Sequence, residues 1–155
     1  MSDSVLSQDE KFMLEAIKQA QLALSENEVP IGAVVVRNGE IVGTGYNQRE
    51  YGKNALKHAE ISAIDEACKN LGGWRLWQCD LYVTLEPCPM CAGAIINSRI
   101  KKVIYGCSDP KAGAVGSVVN LFDLPFNHKP DIVSGVFENE CSSMLTEFFR
   151  QLRKK

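Results

Sequence analysis

One histidine and two cysteines constrain this chain more than anything else in it: His58-Ala-Glu60, followed by Pro87-Cys88-Pro-Met-Cys91. Donors this far apart in sequence reach one cation only if the fold sets two segments side by side. Cys88 and Cys91 are three apart, a spacing that puts both side chains on one face of a helical turn. His58 and Glu60 are two apart and would point in nearly opposite directions in mid-helix. They converge only at a helix start. Pro87 and Pro89 place a helix start at the cysteines as well. Two such ends facing each other offer unpaired N–H groups and partial positive charge, which favour thiolates. One neutral imidazole and two thiolates make a zinc set with three protein ligands. The fourth position stays open for water, the pattern of catalytic sites and not of closed structural ones.

The periodicity along the chain supports this arrangement. Phe12, Met13, Ala16, Ile17, Ala20 and Leu24 repeat at helical spacing, so residues 9–25 form an amphipathic helix. A strand over 31–36, the Asn38-Gly39 turn and a strand over 40–46 make a hairpin. Residues 47–57 are polar and read as a loop over a site. A helix runs from His58 to Leu71 and stops at Gly72-Gly73. Short strands are expected at 81–84, 102–105 and 132–136, with a helix through Cys91 to Asn97 and a closing helix over 138–152. Residues 106–117 read as a loop and 121–131 as irregular. Alternating strands and helices predict an α/β layered domain, with the site at one edge of its sheet.

A chain of 155 residues suits one domain, expected to span 1–155. No stretch approaches the roughly 18 apolar residues a membrane helix needs. The opening MSDSVLSQDEKF lacks a basic segment and an apolar one, so it is no secretory signal, and the cytoplasm is the expected compartment. There, six cysteines read as metal ligands and free thiols. Cys68, Cys79, Cys107 and Cys141 are expected to be buried packing groups. A net charge of −2 excludes a generally basic nucleic-acid binder. The charge is uneven, however: the chain ends Arg150-Gln-Leu-Arg153-Lys-Lys, and Arg99, Lys101 and Lys102 form a second basic group. Such patches can bind phosphates, although charge alone favours a solvated helix tail.

Glu60 gives the cluster its chemistry. A carboxylate beside a zinc-activated water can take its proton, pass it to a ring nitrogen and later protonate a leaving amine, which is hydrolytic deamination. A redox CxxC pair does not call for the HxE. A closed zinc site needs a fourth ligand. Cys79 and His128 are conceivable, but neither lies in a paired motif.

The chain resembles the bacterial tRNA-specific adenosine deaminases of the cytidine-deaminase-like superfamily along nearly its whole length. The resemblance rests on Val29-Pro-Ile-Gly-Ala33, Asn47, His58-Ala-Glu60, Leu81 to Cys91, Tyr105-Gly106, Asp109-Pro-Lys111, Gly113 to Ser117, Phe126-Asn-His128 and Phe148-Phe-Arg150. It implies a three-layer α/β/α fold with a central mixed five-stranded sheet, and a homodimer. It also implies deamination of the wobble adenosine to inosine in a tRNA anticodon loop. By that resemblance His58, Cys88 and Cys91 hold one Zn²⁺ per subunit and Glu60 is the proton shuttle. Asn47 contacts the target nucleoside, and Asp109 shapes the target pocket. Lys111, Arg150 and Arg153 touch phosphates or flanking nucleotides. Phe148 and Phe149 either join the core or support a splayed base, with at least one expected in the core. His128 reads as a structural or RNA-edge histidine. A wobble base already lies in a loop, so drawing it out costs little. Cys107 and Ser108, just before Asp109, sit where the loop can vary. A free nucleobase or nucleoside deaminase, of guanine or cytosine type, would share the zinc residues. The basic helix end and the Asp109–Ser117 loop favour RNA. A catalytically silent subunit would lack the carboxylate that Glu60 supplies.

Overall fold

The computed structural model describes residues 5–154. Met1–Ser4 and Lys155, parts of the N-terminal and basic C-terminal segments read above, lie outside the described residues. Strands β1 (Gly32–Arg37), β2 (Glu40–Tyr46), β3 (Cys79–Leu85), β4 (Lys102–Cys107) and β5 (Asp131–Val133) form one sheet in the order β2-β1-β3-β4-β5. β1 runs antiparallel to both its neighbours, while β3, β4 and β5 are parallel. β2, β3 and β4 therefore all end on one side of the sheet, and the site is built there. The sheet is mixed and five-stranded, as expected.

Helices α1 (Gln8–Ser25) and α4 (Glu138–Arg153) cover one face; α2 (Ala59–Leu71) and α3 (Pro89–Ser98) cover the other. Ser7 starts α1 with a capping box: its hydroxyl accepts from Glu10 N–H, and the Glu10 carboxylate accepts from Ser7 N–H. The α1 layer packs Met13, Ala16 and Ile17 on Val34, Val36, Tyr82 and Ile104. The Tyr82 hydroxyl donates to Asp9 at 2.7 Å and pins α1 to β3. The opposite layer packs Ala63, Ile64, Ala67, Ile95 and Ile96 on Val35, Leu81, Val83 and Val103. Along each strand alternate side chains feed the two layers.

The position of α2 depends on two glycines of β2. A Cβ on Gly45 would lie 2.3 Å from the Ala59 carbonyl oxygen, and one on Gly43 would lie 2.2 Å from that of Ala63. Hydrogen side chains there let the first turns of α2 rest directly on the strand.

Several boundaries differ from the sequence reading. β3 begins two residues early, at Cys79, and β4 continues through Cys107 because β3 supplies partners along its length, whereas β5 pairs only with Lys102 to Ile104. β5 is shorter, Asp131–Val133, since the chain turns away through Gly135 at φ 85°. The segment 121–131 contains a single 3-10 turn, Leu121–Asp123. All six cysteines are free; Cys79, Cys107 and Cys141 are buried, while Cys68 is only partly so. Phe148 and Phe149 stack edge-to-face at 5.4 Å, but neither joins the core. They sit on the last turns of α4, where Phe149 faces the site cavity and Phe148 a groove against α1.

Candidate active site

The two metal-binding motifs occupy equivalent places on two helices. His58 is the N-cap of α2 and Cys88 the N-cap of α3, both with extended backbone and neither using its side chain as a cap. Their side chains are thus free to turn toward one another. Cys91 follows one turn into α3. Its Sγ lies 3.5 Å from His58 Nδ1, and Cys88 Sγ lies 3.6 Å from the same nitrogen. The three donor atoms all fall within 4.8 Å of one another.

This donor set fits zinc. Bonds of ~2.3 Å to sulfur and ~2.0 Å to nitrogen, opened to a tetrahedral angle, put the two donors about 3.5 Å apart. The proton balance of the cluster also calls for a cation. The Cys91 hydrogen bond, with help from His58, draws the Cys88 thiol down to about 4. The hydrogen bond to Cys88, together with burial, pushes the Cys91 thiol upward. A hydrogen bond to Cys88 raises His58. Two sulfurs competing for one proton beside an imidazole are relieved when a divalent cation replaces it. Cys79 and His128 take no part. Cys79 is buried where β3 begins, at the other end of the sheet. His128 Nε2 lies 2.7 Å from the Ile100 carbonyl, and its ring meets Trp77 edge-on. Among the described residues no fourth protein ligand joins the cluster.

Glu60, in the first turn of α2, is 4% exposed. Burial, reinforced by the Cys88 thiolate, lifts its carboxyl to about 7. It opens into a cavity of about 640 Å³ that also receives His58 and Cys88. Asn47, buried at the end of β2, lines the same cavity, and its amide Nδ2 lies 3.4 Å from the Val29 carbonyl. Asp109 and Lys111 line it from the loop after β4, and Arg153 from the last turn of α4. Asp109 also folds its own loop: Oδ1 accepts from Lys111 N–H at 3.0 Å and from Ala112 N–H at 3.1 Å. Arg150 does not line the cavity. Its guanidinium is paired with Glu147 on the outer face of α4.

Sequence reasoning missed Arg49, which lines the cavity from the 47–57 loop, and Leu145 and Leu152 of α4, which make an apolar wall with Phe149. The wall had a signal, since 145, 149 and 152 share one helical face. Glu86 was missed altogether. It is buried directly under the loop after β4. Burial alone would raise its carboxyl, but hydrogen bonds from the Ser117 hydroxyl and from backbone N–H groups hold it below the usual range.

A mixed sheet with two helix starts presenting a His/Cys/Cys cluster and one buried carboxylate defines a zinc-dependent deaminase of the cytidine-deaminase-like class. The profile of the cytidine and deoxycytidylate deaminase zinc-binding region matches residues 6–107. The chain is 56% identical over 151 residues to the tRNA-specific adenosine deaminase of Bacillus subtilis, covering 97% of this chain and 94% of that one. A solved structure from studies of A-to-I editing by tRNA:A34 deaminases at the wobble position of transfer RNA superimposes with a TM-score of 0.85. It shares 46% identity and covers 87% of this chain and 99% of the other. A structure of the guanine deaminase of Nitrosomonas europaea is similar in fold, with a TM-score of 0.77 at 23% identity, over 93% of this chain and 86% of that one. The chain belongs to the tRNA-specific adenosine deaminases.

Proposed function

We propose that the protein hydrolyses the 6-amino group of the wobble adenosine in a tRNA anticodon stem-loop, leaving inosine and ammonia. The observation that carries this reading is a buried glutamate beside a His/Cys/Cys cluster in a cavity walled by the Asp109–Lys111 loop and by the end of α4 that carries Arg153, within a chain 56% identical to a tRNA-specific adenosine deaminase. His58, Cys88 and Cys91 are its zinc ligands. The metal, when bound, makes water acidic enough to ionise near neutral pH.

The remaining work falls to the protein's own groups. Glu60 takes the proton released as water adds to the ring carbon, and carries it to the adjacent ring nitrogen. A carboxylate again, it takes the remaining proton from the added hydroxyl and passes it to the departing amine, so the C–N bond breaks as the carbonyl of inosine forms and neutral ammonia leaves. Burial keeps bulk water from competing for that proton. Asn47 holds the nucleoside at the floor of the cavity. Asp109 and its loop form one wall of the base pocket. Lys111 and Arg153 meet phosphates or flanking nucleotides at the mouth, and Arg150 does so from beside it on α4. Residues 1–155 act as one deaminase domain, paired as a homodimer in the cytoplasm. Family membership supports the pairing and the compartment. Among the described residues no helix is long and apolar enough to cross a membrane.

The test is deamination of an anticodon stem-loop bearing a wobble adenosine, with free adenosine, cytidine and guanine run in parallel. Inosine in the stem-loop, with the small molecules untouched, supports the proposal. Turnover of a free base or nucleoside with an unaltered stem-loop overturns the substrate while keeping the zinc chemistry.

A further inference from the structure

Two buried glutamates outside the reaction stand at mirrored places beside the cavity. Glu28 lies between α1 and β1, directly before Val29, which lines the cavity wall; Glu86 lies between β3 and Cys88. They are 1% and 2% exposed. Neither takes part in any ion pair found among the described residues. Both instead spend their charge on loop backbone. Glu28 Oε1 accepts from Glu50 N–H at 3.2 Å, and its Oε2 accepts from Tyr51 N–H. Glu86 Oε1 accepts from Asp109 N–H at 3.0 Å and from the Ser117 hydroxyl; its Oε2 accepts from Val115 N–H at 3.2 Å and Ser117 N–H at 3.0 Å. The first pair belongs to the 47–57 loop that carries Asn47 and Arg49. The second set belongs to the loop that carries Asp109 and Lys111.

We infer that Glu28 and Glu86 are positioning residues, each holding one lip of the substrate cavity in its binding conformation. The inference rests on the function proposed above for that cavity. Every group directed at the two carboxylates is a donor, and a carboxylate is acceptor-only. An amide of the same shape has one acceptor oxygen and would turn an NH₂ toward incoming N–H groups. At Glu86, where each oxygen takes two donors, no rotation of an amide satisfies the set. The space around Glu86 is equally specific: a Cβ on Gly113 would sit 2.3 Å from its carboxyl carbon, so the loop closes on the carboxylate with no room to spare. Glu28 is buried behind the cavity wall; Glu86 reaches the cavity lining but is almost fully buried, with both oxygens taken up by donors of the loop, so its effect on recognition passes through that loop.

Glu86→Gln and Glu28→Gln in the zinc-loaded enzyme test this. Glu86→Gln is expected to lose hydrogen-exchange protection at the amides of Asp109, Val115 and Ser117 while β3 and β4 keep theirs. Zinc content should stay that of the wild type. KM for the stem-loop should rise about tenfold with kcat changed far less, because stranded buried donors cost the lip its geometry and leave the chemistry in place. Glu28→Gln should do the same to Glu50 and Tyr51. Ser117→Ala removes a single hydroxyl donor and is expected to fold whatever happens to the amide variants; it should raise KM about threefold. Protection and KM unchanged in Ser117→Ala and in the folded amide variants would overturn the inference. So would loss of zinc with kcat falling and KM unchanged, which marks a general structural role. Should the wild-type enzyme leave the stem-loop untouched, the exchange measurement still decides whether these carboxylates order the two loops, separately from the substrate.

Discussion

His58, Glu60, Cys88 and Cys91 come from two helix starts seated on the sheet, and none of them is fully exposed. Lys111, Arg150 and Arg153 come from one loop and from the last turns of α4, and all three are exposed. The metal corner, Lys111 and Arg153 border the same cavity, with Arg150 beside it on α4, and the two regions differ in what fixes them. Each metal-site side chain is oriented by the first residues of a helix; α2 rests on β2 through alanine and glycine contacts with no slack, and α3 packs into the core through Ala92, Ile95 and Ile96. The rim side chains are long and solvated, and their positions are set by neighbours such as Glu147. A region of the first kind has its chemistry decided by the fold. A region of the second kind has it decided by the partner that arrives. Substitutions in the metal corner should therefore act on all-or-none quantities, and those on the rim on graded ones.

Cys88→Ala carries the largest effect. It removes one of three metal donors and leaves Cys91 and His58 buried without the cation that reconciles them. Zinc content should drop to background, activity should vanish, and the thermal midpoint should fall, because metal binding is coupled to folding. Full zinc occupancy in this variant would dismantle the ligand assignment. Glu60→Gln comes next and separates chemistry from architecture. It keeps the shape of the first turn of α2, so zinc and stability should match the wild type while kcat falls by about 10²–10⁴-fold. Equal loss of zinc and activity would make Glu60 a structural group.

The same division explains what could be read from residue order alone. His58, Glu60, Cys88 and Cys91 carry fixed spacings, and a spacing of two or three translates into geometry once a helix start is placed. The hairpin at Asn38-Gly39, with both residues at positive φ, was legible for the same reason. The ends of β3 and β5 were not, since they depend on which neighbour extends alongside. At least one of Phe148 and Phe149 was expected in the core, yet α4 turns Phe149 to the cavity and Phe148 to the groove against α1. Glu28 and Glu86 left no mark: a glutamate in sequence reads as surface, and only the fold reveals that a loop wraps around it. Arg150 and Arg153 were indistinguishable in a basic tail. In the structure one faces the cavity mouth and the other an acid on its own helix.

That last contrast gives the smallest and most discriminating prediction. Arg153 lines the cavity and takes part in no ion pair found among the described residues, whereas Arg150 donates through Nε and a terminal nitrogen to Glu147 Oε1. A phosphate reaching Arg150 must compete with a carboxylate one turn away; one reaching Arg153 need not. Each phosphate contact to a single-stranded segment contributes about 0.7 to the slope of log affinity against log salt. Arg153→Ala should reduce that slope by about this amount and weaken tRNA binding several-fold, while Arg150→Ala should do distinctly less. Glu147→Gln, which frees Arg150 from its partner, should then make the Arg150→Ala effect approach that of Arg153→Ala. Titration of tRNA binding across a salt series reads all three. A larger loss from Arg150→Ala than from Arg153→Ala would move the phosphate track from the cavity mouth to the outer face of α4, and the rim would have to be redrawn around Glu147.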